Sequence, residues 1–146
     1  AREDMATGSL KAGLAFGNAG VGAIHALAYP LGGRFHLSHG MSNAVMLPHV
    51  LKVNAPFCQD KRYCVAKLLK VCERHHSKEE VIKLLLVAIE KLCRDVGIPA
   101  SLTHFNIPPS CVGELAEEAS KVTRLLRNNP KQLSIEEIED IYRLAF

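Results

Sequence analysis

From Ala12 to Leu31 the chain runs twenty residues without an Asp, Glu, Lys or Arg, and only His25 among them ionises readily near neutral pH. A stretch so free of charge has two destinations, a bilayer or the inside of a protein. Gly13, Gly17, Gly20 and Gly22, together with Asn18, His25 and Pro30, make it far less apolar than the ~20-residue Leu/Ile-rich segment a membrane span needs. The expectation is a buried core helix, with residues 3–28 forming one long helix rich in Ala and Gly. Small residues on such a helix let a neighbouring backbone or a ligand come close.

Helix signals recur through the rest of the sequence, and no run of alternating β-branched residues bounded by hairpin turns occurs, so the expected fold is all-α, one domain over residues 1–146. Ser77-Lys78-Glu79-Glu80 has the form of a capping box. It starts a helix with the stripe Val81, Leu85, Ala88, Leu92 and Val96, which Gly97 and Pro99 end. Ser134-Ile135-Glu136-Glu137 is a second box, with Leu133 and Ile138 placed as a hydrophobic staple, and opens the last helix through Ile141 and Leu144. Asp60 is placed to cap a helix carrying Val65, Leu68 and Cys72, and Pro108-Pro109-Ser110 introduces one carrying Val112, Leu115, Ala119, Val122 and Leu126. These four helices are expected to supply core and no chemistry. Nearer the start, Pro30 is expected to force Tyr29 out of helical geometry, with Leu31-Gly32-Gly33 as a loop. His39-Gly40 then opens a helix through Val45 and Leu47 that Pro48 breaks or kinks.

With 146 residues the chain can bury roughly 70% of its unfolded surface as one domain. The 48% hydrophobic and 23% charged content excludes a disordered chain. A net charge of +3, with basic residues scattered as Lys61, Arg62, Lys67, Lys70, Lys121, Arg124 and Arg127, gives nucleic acid no dense basic face to bind. Five cysteines, an odd number without a CxxC pair, together with the lack of a basic-then-apolar leader, point to a reduced protein of the cytoplasm. The sequence opens at Ala1, already in helical pattern, as a piece of a longer protein would.

His25 and Tyr29 are four residues apart on a helix and so share a face. His39 follows His25 by fourteen residues, across the Pro-Gly turn, and a turn of that length can bring both imidazoles to one point. Imidazole is a favoured ligand of zinc and iron(II). A histidine on an apolar helix is also commonly a satisfied core residue, and an H-x13-H spacing matches no general metal rule, so spacing alone leaves both alternatives open. Two imidazoles are fewer than the three or more protein groups of a catalytic metal site, and no DxxxH or ExxH pattern stands nearby. Any metal would have part of its shell outside this chain.

The run Gly22-Ala23-Ile24-His25-Ala26-Leu27-Ala28-Tyr29-Pro30-Leu31-Gly32-Gly33, continued by Phe35-His36-Leu37-Ser38-His39-Gly40 and by Asn43-Ala44 to Leu47-Pro48-His49-Val50, closely resembles the signature of iron-containing alcohol dehydrogenases. Ala15-Phe16-Gly17-Asn18-Ala19-Gly20 and Asp140-Ile141-Tyr142 through Ala145 extend the resemblance over nearly the whole chain. It implies the helical C-terminal domain of the iron-containing alcohol dehydrogenase and dehydroquinate synthase-like fold, without the N-terminal nucleotide-binding domain. In that family an Asp and a His of a DxxxH motif and two signature histidines hold the metal. The last two map onto His25 and His39, and the first two have no counterpart here. Tyr29 stands where many relatives carry a non-ligand histidine near substrate and nicotinamide, so a proton relay through this position is in doubt. The resemblance leaves Tyr29 either as a hydrogen-bond donor at the reacting centre or as a pocket wall.

The resemblance further implies metal-assisted hydride transfer between an alcohol and an aldehyde or ketone, with iron(II), or alternatively zinc, and with NAD or NADP bound mainly by the missing domain. It implies small-molecule substrates, no nucleic-acid or membrane partner, and a homo-oligomer in the full-length enzyme. The isolated fragment is expected to be inactive. The rival readings are a zinc-dependent polyol or glycerol dehydrogenase relative and a non-catalytic helical scaffold or interaction domain.

Overall fold

The computed structural model describes residues 1–73 and 75–146, Gln59 by its backbone only. The chain forms α1 (Arg2–Ala19), α2 (Ala23–Phe35), α3 (His39–Asn54), α4 (Gln59–Leu68), α5 (Lys78–Asp95), α6 (Val112–Ser120), α7 (Thr123–Leu126) and α8 (Ile135–Leu144), with 3-10 turns at Ala55–Phe57, Leu102–Phe105 and Pro109–Cys111. No strand occurs among the described residues, and the fold is all-α as expected.

One core dominates. α2 packs on α3 and α6, and α6 packs on α8. Leu27, Leu31, Met46, Leu115, Ile138 and Ile141 are fully buried between them. Each such side chain contributes about 1.5–3 kcal/mol by leaving water, which holds α2 and α3 as a fixed pair. A smaller cluster of Ala66, Val81 and Leu85 joins α4 to α5. Both capping boxes form: Glu80 N–H donates to Ser77 Oγ at 3.2 Å, Glu137 N–H to Ser134 Oγ at 3.2 Å, and each glutamate carboxylate accepts from the backbone N–H of its serine.

The helix expected over 3–28 is two helices. Gly20 turns left-handed at φ 75°, its N–H closing on the Phe16 carbonyl at 2.7 Å, and α2 begins afresh at Ala23. The uncharged stretch therefore divides: Ala23, Ala26, Leu27 and Leu31 are core, whereas α1 has no buried residue and exposes Leu14 and Phe16. Pro30 does not end the helix either. α2 runs on to Phe35, so Tyr29 and Leu31-Gly32-Gly33 are helical, and the connection expected between Tyr29 and His39 shrinks to His36, Leu37 and Ser38. Proline's missing donor and crowded ring cost about 3 kcal/mol in a helix interior. Burial of Ala26, Leu27, Ala28 and Leu31 opposes that cost, and Tyr142 Oη donates to the Leu27 carbonyl at 2.6 Å.

Pro48 likewise lies inside α3, which continues to Asn54 on the buried Val45, Met46 and Val50. Cys58, not Asp60, stands at the start of α4, with no side-chain cap, and α4 ends at Leu68 short of Cys72. The helix expected through Leu126 breaks at Lys121 and Val122 into α6 and α7. Leu92 and Val96 continue the α5 stripe beyond its neighbours and are 51% and 64% exposed.

Candidate functional site

His25 lies in the first turn of α2 and His39 is the first residue of α3. Two features bring these helix starts together. The link between the helices is short, with His36 in the left-handed region at φ 56° reversing the chain. The helices then pack side by side through Leu27, Leu31, Val45 and Met46. Ser38 fixes the beginning of α3 as its N-cap, accepting from Met41 N–H at 3.4 Å.

The two imidazole centroids end 5.2 Å apart with their planes tilted by 57°. Two imidazoles sharing one ion at metal–nitrogen distances of about 2.0–2.1 Å and an open angle have centroids roughly 5 Å apart, so the pair fits a common metal. Burial first, and the neighbouring His39 second, hold His25 below the ordinary histidine value, leaving its ring neutral and its lone pair available at pH 7. His25 is half-buried, whereas His39 is exposed. Among the described residues no cluster of three or more His, Cys, Asp or Glu forms, so the pair is an incomplete shell within this chain.

Tyr29, one turn after His25, is 46% exposed, and its ring centroid is 6.2 Å from that of His39. His25, Tyr29 and His39 therefore face one open site. The structure adds Asn43, a residue the sequence reading passed over. Its Nδ2 lies 3.3 Å from His39 Nδ1, 3.2 Å from His39 Nε2 and 2.8 Å from the His39 carbonyl, while its buried Oδ1 has no partner. The 2.8 Å bond to the His39 carbonyl fixes this orientation of the amide, because exchanging its two ends would set Oδ1 against that carbonyl oxygen. The i,i+4 spacing of His39 and Asn43 was the available signal.

His49 sits apart, in a cleft of about 810 Å³ lined also by Glu90, Cys93 and His104. His36 is exposed in the α2–α3 link. The His75 and His76 rings have centroids 4.4 Å apart and are tilted by 48°.

The all-helical fold recurs in solved oxidoreductases. The crystal structure of 1,3-propanediol oxidoreductase superposes with a TM-score of 0.95 at 36% identity, over 99% of this chain and 38% of that one. An alcohol dehydrogenase from Oenococcus oeni gives 0.87 at 30% identity, over 92% of this chain and 35% of that one. The description "Fe-containing alcohol dehydrogenase family, C-terminal" matches residues 1–146, and the chain belongs to that family. It is 43% identical over 146 residues to the long-chain-alcohol dehydrogenase 1 of Geobacillus thermodenitrificans and 35% identical to the lactaldehyde reductase of Escherichia coli. It spans 37% and 38% of their lengths.

Proposed function

We propose that this chain is the metal-carrying helical part of an NAD(P)-dependent alcohol dehydrogenase that interconverts a small alcohol with its aldehyde or ketone. His25 and His39 are two ligands of one divalent ion, iron(II), with zinc as the alternative. The observation that carries the reading is the 5.2 Å approach of the two imidazoles from helices that the core holds fixed. When bound, the ion supplies Lewis acidity toward the alcohol or carbonyl oxygen.

The chain's own residues hold and shape. His25, kept neutral, offers a lone pair from a half-buried position, and His39 offers the second from the open side. Asn43, bonded through Nδ2 to the His39 carbonyl, lies against the His39 ring. The Tyr29 hydroxyl, on the same open side, serves as a hydrogen-bond donor toward a substrate oxygen or as the wall of its pocket.

The remaining ligands and the nicotinamide site belong to a part of the polypeptide beyond these 146 residues. α1 supports this division. An 18-residue helix containing Gly8, Gly13 and Gly17 and no buried residue gains little from its own sequence and needs a neighbour to stabilise it. The 146-residue chain alone is accordingly inactive, and the whole enzyme acts in the cytoplasm as a homo-oligomer. No described helix is long and apolar enough to cross a membrane.

The test is an anaerobic titration of iron(II) and zinc(II) into the chain and into a variant carrying His25→Ala and His39→Ala. Binding lost in the variant supports the half-built site. Equal binding by both proteins overturns it and leaves a helical scaffold.

A further inference from the structure

The first turn of α2, which carries His25, has no cap of its own. Gly22 occupies the N-cap position and has no side chain to accept from the free N–H groups above it. The acceptor arrives from far along the chain. Asn129, 6% exposed in the loop between α7 and α8, accepts the Ala23 N–H on its Oδ1 at 3.3 Å across 106 residues.

That amide is held on every side. Its Oδ1 also accepts from Asn54 Nδ2 at 2.7 Å, and its Nδ2 donates to Asn54 Oδ1 at 2.8 Å and to the Lys131 carbonyl at 2.7 Å. The Asn129 side chain thus uses two donors and two acceptor positions, its whole capacity. Asn54, at the end of α3, is 9% exposed. A reciprocal amide pair in the interior has one orientation, because turning either group would set donor against donor with no water to relieve it.

The neighbouring backbone is shaped to admit this loop. A Cβ on Gly20 would lie 2.4 Å from Asn128 Nδ2, and one on Gly22 would lie 3.4 Å from Asn129 Oδ1. Asn128 Nδ2 donates to the Val21 carbonyl at 3.3 Å. The 128–131 loop therefore grips the α1–α2 turn at two consecutive residues, while Asn54 ties the same point to the helix that begins at His39.

We propose that Asn129 is a positioning residue of the His25/His39 site: a cap supplied in trans that fixes the first turn of α2 and so sets the His25 imidazole against His39. The proposal rests on the metal reading above for its consequence and on the apo fold for its cause, and the two are tested apart. Asn129→Ala removes the cap and the amide pair together. Asn54→Ala removes the same reciprocal pair and leaves the Asn129–Ala23 bond, with Asn129 still held by the Lys131 carbonyl, so it is the matched structural control.

In the apo chain, Asn129→Ala is expected to speed amide hydrogen exchange at Ala23 by about five- to tenfold, the usual size of a lost cap. It is also expected to abolish the nuclear Overhauser contact between the two imidazoles. Asn54→Ala lowers Tm comparably and keeps both signals. Cobalt(II) affinity, read from its visible absorption, falls with Asn129→Ala and holds with Asn54→Ala. Gly22→Ser in the Asn129→Ala background supplies a cap in cis where the departing amide leaves room, and is expected to restore exchange protection, the ring contact and the affinity.

Equal loss of the ring contact in both single variants, or no recovery with Gly22→Ser, overturns the positioning role. Cobalt binding by the wild-type chain that ignores His25→Ala overturns the metal reading instead, and leaves the exchange and ring-contact outcomes to decide Asn129.

Discussion

Replacing Tyr142 by Phe removes one oxygen and keeps the ring, which makes it a clean probe of how α8 holds the helix of the site. Tyr142 is 0% exposed, and its hydroxyl donates to the Leu27 carbonyl at 2.6 Å. Burial pushes its pKa far above the ordinary tyrosine value, so the group remains a donor at every pH at which the chain folds. The acceptor sits where α2 is short of bonds, since Pro30 has no N–H to give the Ala26 carbonyl next to it. A buried neutral hydrogen bond contributes about 0.5–1.5 kcal/mol net, and the Leu27 carbonyl, inside α2, still faces the Leu31 N–H when the hydroxyl is gone. We expect Tyr142→Phe to lose about 1 kcal/mol. At about 2–4 °C per kcal/mol for a domain of this size, Tm falls by roughly 2–4 °C. The assay is urea unfolding followed by circular dichroism, with an unchanged slope against urea showing that the variant unfolds from the same compact state. Tyr142→Leu is the comparison. It adds a cavity and costs more, about 3–5 kcal/mol. A Tyr142→Phe loss below about 0.5 kcal/mol would mean that the bond is replaced or nearly neutral, and would refute the account of how α2 runs through Pro30.

Gly20→Ala places a Cβ at φ 75° and 2.4 Å from Asn128 Nδ2, so a loss of about 1–3 kcal/mol in urea unfolding is expected, with Asn128 displaced. Ser134→Ala is expected to cost about 1 kcal/mol because α8 carries Ile138 and Ile141 into the main core, whereas Leu92→Ser, on an uncovered stretch of α5, stays within about 0.5 kcal/mol. Burial pushes His49 below the ordinary histidine value of 6.5, Glu90 pulling it back and Lys52 adding to the depression. A histidine depressed in the folded state favours the fold fully above its unfolded pKa, and that advantage shrinks as pH falls from there through the lower folded value. Thermal melts are expected to weaken below about pH 6.5, and His49→Gln to flatten that limb.

What the sequence made legible divides by the range of the interactions. The all-α fold, the boxes at Ser77 and Ser134 and the core stripe of α8 depend on residues three or four apart, and the structure shows each of them. The same local rules misplaced the middle of the chain. They ended a helix before Pro30 and made Leu31-Gly32-Gly33 a loop, because the preference of a residue before proline is worth less than the packing of Leu27 and Leu31 against α3 and α6. They also ran one helix through Gly20, where the group a side chain would meet is Asn128, more than a hundred residues away.

The candidate site follows this division. His25, Tyr29 and His39 were named through the long motif, and Asn43 was within reach by its spacing from His39. The Asn54–Asn129 pair could not be read, because an asparagine ahead of a proline in a polar loop looks like any other turn. Yet on the proposal above Asn129, through the Ala23 N–H, sets where the first turn of α2 stands. A motif therefore names which side chains meet, while the distance at which they meet depends on remote groups to which the motif is blind. Substitutions in the 128–131 loop should accordingly alter metal affinity without touching either imidazole.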